Sequence, residues 1–156
     1  MRIVCAVGLR GGAELMRRVL AVAAGAQPEL VLLHVIPTGP REDLAHITGP
    51  LRPGPRGEPR HARDISAAEE AAGRAALAEA AAEAQAASVP ATLRLERGRP
   101  EQVAVAVARE VRAGLVAIRA RDHAEGHPFI GPGSVGHVAR FVLDHAPCDV
   151  LLLREG

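Results

Sequence analysis

Short apolar runs alternate along this chain with longer stretches of helical spacing, and any fold must pair the runs and cover them. Residues 2–7 (RIVCAV), 30–36 (LVLLHVI), 115–118 (LVAI) and 150–153 (VLLL) are almost continuously apolar. Runs of that kind suit strands buried on both faces of a parallel sheet. Residues 91–96 (ATLRLE) differ, because Leu93 and Leu95 alternate with Thr92, Arg94 and Glu96. A period of two marks a strand with one wet face, at a sheet edge.

Helical patterns fill the intervals. Residues 13–24 carry Leu15, Met16, Val19, Leu20 and Ala23 at helical spacing, with Gly25 as a C-cap. Ser66-Ala-Ala-Glu69 has capping-box spacing and opens an alanine-rich helix that runs to Ala87 and stops before Pro90. Pro100 takes a first helical position, and Val103, Val107 and Val111 supply the apolar face of the next helix. The last helix spans 134–146, with Val135, Val138, Ala139 and Val142 on one face. The resulting β-α-β-α-β-α-β-α-β order defines the α/β class, a parallel sheet with helices on both faces. Residues 37–63 interrupt it with Pro, Gly and Arg, offering so little to bury that local disorder is expected over a closing lid.

Length suits one domain over residues 1–156, large enough for a core without disulfide or metal staples. A formal net charge of +1 removes the simplest electrostatic case for nucleic acid or membrane surfaces as partners. All 19 basic residues are Arg, which excludes a phosphate-loop lysine and a Schiff-base lysine. Trp and Tyr are absent, so platforms for stacking single-stranded bases are not expected. Cys5 and Cys148 sit in apolar runs without metal or redox spacing, as small buried hydrophobes of a reducing compartment. No apolar stretch is long enough to span a bilayer, and the N-terminus enters a strand without signal-peptide features. A cytoplasmic setting is expected.

Parallel sheets bind ligands at the carboxyl ends of their strands, so function belongs near residues 8–12, His34 and residues 119–134. Ile130-Gly-Pro-Gly-Ser-Val135 leads into a helix, where Gly131, Gly133 and the Ser134 cap suit an anion. Gly8 and Arg10 lie in a second flexible turn, and Arg10 can pair with phosphate. Arg119, Arg121, His123 and His127 make the following loop basic; Gly126 and Pro128 break the helix that a His123–His127 metal pair would need. His34 is expected as a hydrogen-bonded core or rim residue, His137 on a wet face, and Arg140–Asp144 as a helical ion pair. No catalytic constellation is visible: neither a Ser-His-Asp set nor paired carboxylates converge.

These residues resemble the universal stress proteins. The resemblance rests on the IVCAV strand, Leu-Leu-His34-Val35-Ile-Pro37, Gly98-Arg-Pro100, Gly133-Ser134-Val135, and His145-Ala-Pro-Cys148 before Val-Leu-Leu-Leu153. It implies a single-domain three-layer α/β/α sandwich with a five-stranded parallel sheet in order 3-2-1-4-5. It also implies a stress-response sensor or regulator that binds ATP or a related adenine nucleotide, with or without Mg, and has at most weak ATPase activity. Val35 would contact adenine and ribose, and Gly133, Ser134 and Val135 the phosphates. The family's paired glycines fall on Ala120 and His123, or one residue earlier on Arg119 and Asp122, and its first-strand Asp falls on Gly8. Arg10, Arg119 and Arg121 are then the groups that would replace lost phosphate contacts. In the implied order the last strand is an apolar edge, so a homodimer through Val150 to Leu153 is expected. The alternative is a nucleotide-independent dimeric interaction module whose ATP site has degenerated.

Overall fold

A computed structural model describes residues 1–38, 59–120 and 135–154, with side chains from residue 65 onward in the second segment. Arg121, His123, Gly131, Gly133 and Ser134 lie outside the described residues, as does most of the 37–63 insertion.

The strands are β1 (Arg2–Ala6), β2 (Glu29–Pro37), β3 (Ala91–Gly98), β4 (Leu115–Arg119) and β5 (Asp149–Leu153). They form one five-stranded sheet in the order β3-β2-β1-β4-β5, every neighbouring pair parallel. The three inner strands are continuous apolar runs, and Ile3, Val4, Cys5, Leu32, Val116 and Ala117 are wholly buried; the fourth such run, β5, lies at an edge, with Val150, Leu151 and Leu152 only partly buried. Strand β3, the alternating segment, is an edge as its pattern requires. Its wet face carries Arg94, whose guanidinium reaches Glu96 at 2.7 Å and Glu110 at 2.9 Å.

Four helices follow in chain order: α1 (Gly12–Val22), α2 (Pro59–Ala86), α3 (Pro100–Glu110) and α4 (His137–His145). Helices α1 and α2 cover one face of the sheet, burying Leu15, Met16 and Val19 against Ile3, Cys5, Leu30 and Leu32. Helix α2 contributes Leu77 and the small residues Ala76, Ala80 and Ala84 to that layer. Helices α3 and α4 cover the other face, above Val4, Val31, Leu33, Val116 and Ile118.

Three local expectations need correction. Ser66 does not cap α2, which already begins at Pro59. Proline is tolerated in a first turn, where its missing N–H is an orphan anyway, so the helix extends backward ahead of the alanine-rich stretch. Ser66 instead accepts a hydrogen bond from Arg97 through its Oγ, at 2.7 Å. The buried face of α3 is Ala104, Val105, Val107 and Ala108, while Val103 and Val111 pack only at its margins. The last helix starts at His137 rather than 134. Gly136 precedes it at φ 82 and ψ 157, a conformation that glycine adopts readily and that no helix can pass through.

Candidate functional site

Strand order reverses at β1, which has β2 on one side and β4 on the other. A cleft of about 360 Å3 opens at the carboxyl ends of these three strands, on the face covered by α3 and α4. Ala6, Leu33, Val35 and Ile118 form its floor. Pro100 and Ala104 of α3 and Val138 of α4 form a wall. Val7, Gly8, Arg10, His34, Arg119 and Ala120 complete the lining. An apolar pocket with few polar groups at its mouth is the usual form of a small-molecule site.

The rim is built by contacts between distant parts of the chain. Val7 donates its N–H to Leu33 O at 2.8 Å, and the Nδ1–H of His34 donates to Val7 O at the same distance. That bond assigns the proton to Nδ1 and holds the end of β1 against β2. His34 is 6% exposed, and its ring lies against α2 at Gly73, where a Cβ would stand 2.7 Å from Cδ2. The chain then turns through Gly11, at φ 70. Here glycine is required twice, since a Cβ at Gly11 would also fall 1.7 Å from Nη1 of Arg119. The same Nη1 donates to the Arg10 carbonyl at 3.0 Å. Arg119, from the end of β4, is thereby seated on the turn that follows β1, beside the exposed side chain of Arg10.

Of the residues singled out in the sequence, Gly8, Arg10, Val35, Arg119 and Ala120 line this cleft together. Val135 does not; it is 8% exposed within the core beneath α3 and α4. Sequence reasoning missed Ile118, Ala104 and Val138, because nothing in a Val or Ala residue distinguishes a cleft wall from a core. It placed Gly11 in the flexible turn of residues 8–12 but missed its contact with Arg119.

Neither thiol is poised for chemistry. Burial pushes the Cys5 thiol up to about 12. Burial, helped by the neighbouring Asp149 carboxylate, also raises that of Cys148. Both therefore stay protonated and weakly nucleophilic near neutral pH. His137 is exposed and stands 3.6 Å from Glu101, Arg140 pairs with Asp144 at 3.1 Å, and His145 stacks on Phe141.

Comparison with known proteins gives the fold its family. The description of the universal stress protein family matches residues 1–154. The chain belongs to the universal stress protein family. Solved structures agree on the fold. UspA from Lactobacillus plantarum is 19% identical with a TM-score of 0.68, covering 99% of this chain and 97% of that one. A family member from Arabidopsis thaliana with AMP bound is 16% identical, with a TM-score of 0.63 over 100% and 92% of the two chains. The Archaeoglobus fulgidus universal stress protein in complex with dAMP is 21% identical, with a TM-score of 0.62 over 97% and 96%. No curated protein matches this chain in sequence.

Proposed function

We propose that this universal stress protein binds an adenine nucleotide in the cleft at the β1 switch point. In that reading it acts as a small stress-response sensor or regulator in the cytoplasm. The observation that carries the proposal is the pairing of an apolar floor with a guanidinium rim at the carboxyl ends of β1, β2 and β4. Relatives of the same fold hold AMP and dAMP, which supports the ligand class. Val35, Leu33 and Ile118 would face the base, and Arg10 and Arg119 would take the phosphate through charge-assisted hydrogen bonds. Any hydrolysis is slow in this account. His34 would be a poor general base, because its ring is buried and Nε2, the nitrogen left to accept a proton, faces Gly73 of α2.

Calorimetric titration with AMP, ADP and ATP tests the reading. Saturable binding at one site per chain, lowered by Arg10→Gln, is the expected result. No heat with any of the three, and no displacement of a fluorescent adenine nucleotide, would refute it.

A second reading is favoured by β5, where Val150, Leu151 and Leu152 remain partly exposed on an edge strand. Here the chain is a nucleotide-independent interaction module whose ATP site has degenerated and that works as a homodimer through residues 150–153. A light-scattering mass of two chains at micromolar concentration is expected. A mass of one chain would refute this second reading.

A further inference from the structure

The ladder between β1 and β2 is interrupted where the cleft begins. Its register runs from Arg2↔Glu29 to Ala6↔Leu33, and the Val7 N–H adds a bond to Leu33 O at 2.8 Å. In a parallel pair continued by one step, Val35 N–H would donate to Val7 O. That carbonyl is held instead by the Nδ1–H of His34, also at 2.8 Å. A side chain of β2 has taken the place of the backbone donor next to it. Among the described residues, neither Val35 N–H nor Gly8 N–H makes a hydrogen bond to this end of the sheet.

The peptide between Val7 and Gly8 is trans, so its carbonyl and its N–H point in opposite directions. Fixing the carbonyl on His34 therefore aims Gly8 N–H away from β2. Both donors belong to residues that line the cleft, Gly8 exposed at its mouth and Val35 half-buried in its floor. His34 is itself fixed from behind. Its ring is 6% exposed, and α2 passes so close that a Cβ at Gly73 would stand 2.7 Å from Cδ2 and 3.2 Å from Nε2. The ring cannot swing off Val7 in that direction without displacing helix backbone.

We infer that His34 is a positioning residue of the nucleotide cleft: by holding the Val7 carbonyl it keeps Val35 N–H out of the β1–β2 ladder and aims Gly8 N–H, leaving two ordered backbone donors for acceptor atoms of the ligand. The inference rests on the adenine-nucleotide reading and adds to it a side chain that packs on α2 and acts through the backbone. Val35 N–H, in the floor, suits a ring nitrogen of the base. Gly8 N–H, at the mouth, suits an oxygen of the ribose or phosphate. Both are set before any ligand arrives, which lowers the ordering cost of binding.

Calorimetry with AMP on the wild type, His34→Leu and His34→Asn tests this. Leucine is close to the imidazole in volume but has no donor. The Asn Nδ2 is attached to Cγ as the imidazole Nδ1 is, so it reaches Val7 O while leaving a void beside α2. AMP affinity should fall about tenfold in His34→Leu, the worth of one hydrogen bond, and stay within about threefold of wild type in His34→Asn despite a lower melting temperature. An affinity that tracks the melting temperature through the three proteins, or that is unchanged in His34→Leu, would overturn the inference while leaving the nucleotide reading intact. No AMP binding by the wild type would overturn the two together. Nuclear magnetic resonance of the wild type gives a check that needs no variant. The amide protons of Gly8 and Val35 should move downfield on saturation with AMP, and resonances that stay in place while others around the cleft shift would also overturn the inference.

Discussion

Replacing Gly73 by alanine sets two opposed effects against each other. In an ordinary helix interior the change gains about 1 kcal/mol, because alanine loses less conformational freedom than glycine. At this position a Cβ would stand 2.7 Å from His34 Cδ2 and 2.8 Å from Leu95 Cδ1. Leu95 can yield, since it is the half-buried end of a flexible side chain on an edge strand. His34 cannot, because its ring is fixed at 2.8 Å to Val7 O. Overpacking of this kind costs about 1–3 kcal/mol. The expected sum is a net loss of about 1 kcal/mol, a fall in Tm of roughly 3 °C for a chain of this length. Thermal unfolding followed by circular dichroism reads it directly. The same substitution in a His34→Ala background should instead stabilise by about 1 kcal/mol, because the rigid obstacle is gone. The cycle should therefore give a coupling of about 2 kcal/mol. Stabilisation by Gly73→Ala in the wild-type background, with no coupling, would refute the contact between α2 and the imidazole.

Two further outcomes follow from the same geometry. His34→Leu stays close to the imidazole in volume but removes the donor to Val7 O, at a cost of about 1–3 kcal/mol for a buried carbonyl left unsatisfied. Hydrogen exchange at the amides of residues 8–11 should accelerate, and unchanged exchange there would show that His34 does not hold the turn. At alkaline pH the chain is unusually simple, since it contains neither Lys nor Tyr. The unfolded Cys5 thiol ionises near 9.0, while the folded one waits until about 12. Above pH 9 the unfolded state has thus released a proton that the folded state retains. Stability should be complete below pH 9 and fall by about 1.4 kcal/mol per unit as pH rises toward 12. The Cys148 thiol, raised less, adds to the same trend. Urea midpoints across this range check it, and a Cys5→Ala variant with the wild-type slope would sink it.

Most of the sheet was legible because the information is local. Full burial leaves a continuous apolar run in β1, β2 and β4, and partial exposure leaves the alternation of β3. Strand order needed the family resemblance, since parallel strands do not announce their neighbours. The errors share a physical cause. The start of α2 at Pro59 lies in a Pro/Gly/Arg-rich stretch whose composition says loop, although a proline in a first helical turn costs nothing. The start of α4 depends on the dihedral angles of Gly136, which glycine permits but does not dictate. In the cleft, Gly8 and Arg10 were visible through their turn at a strand end, and Val35 through the family resemblance. The seat of Arg119 on Gly11 was not, because it joins residues 108 positions apart and leaves no trace in spacing.

The two edges of the sheet bear on how such a chain can multiply. Parallel sheets offer a route to endless growth, in which the last strand of one copy meets the first edge of the next and nothing closes the series. Here the edges are chemically mismatched. Strand β5 presents Val150, Leu151 and Leu152, whereas β3 sets Arg94, Glu96 and Arg97, engaged with Glu110 and Glu70, beside the exposed Leu93. A β5-to-β3 junction would press apolar side chains against ion pairs that already have partners. A β5-to-β5 junction, related by a twofold axis, uses the apolar edge once and leaves charged rims facing outward. If the chain pairs through β5 as proposed above, growth by sheet extension would end at two copies, with the ion pairs of β3 facing outward.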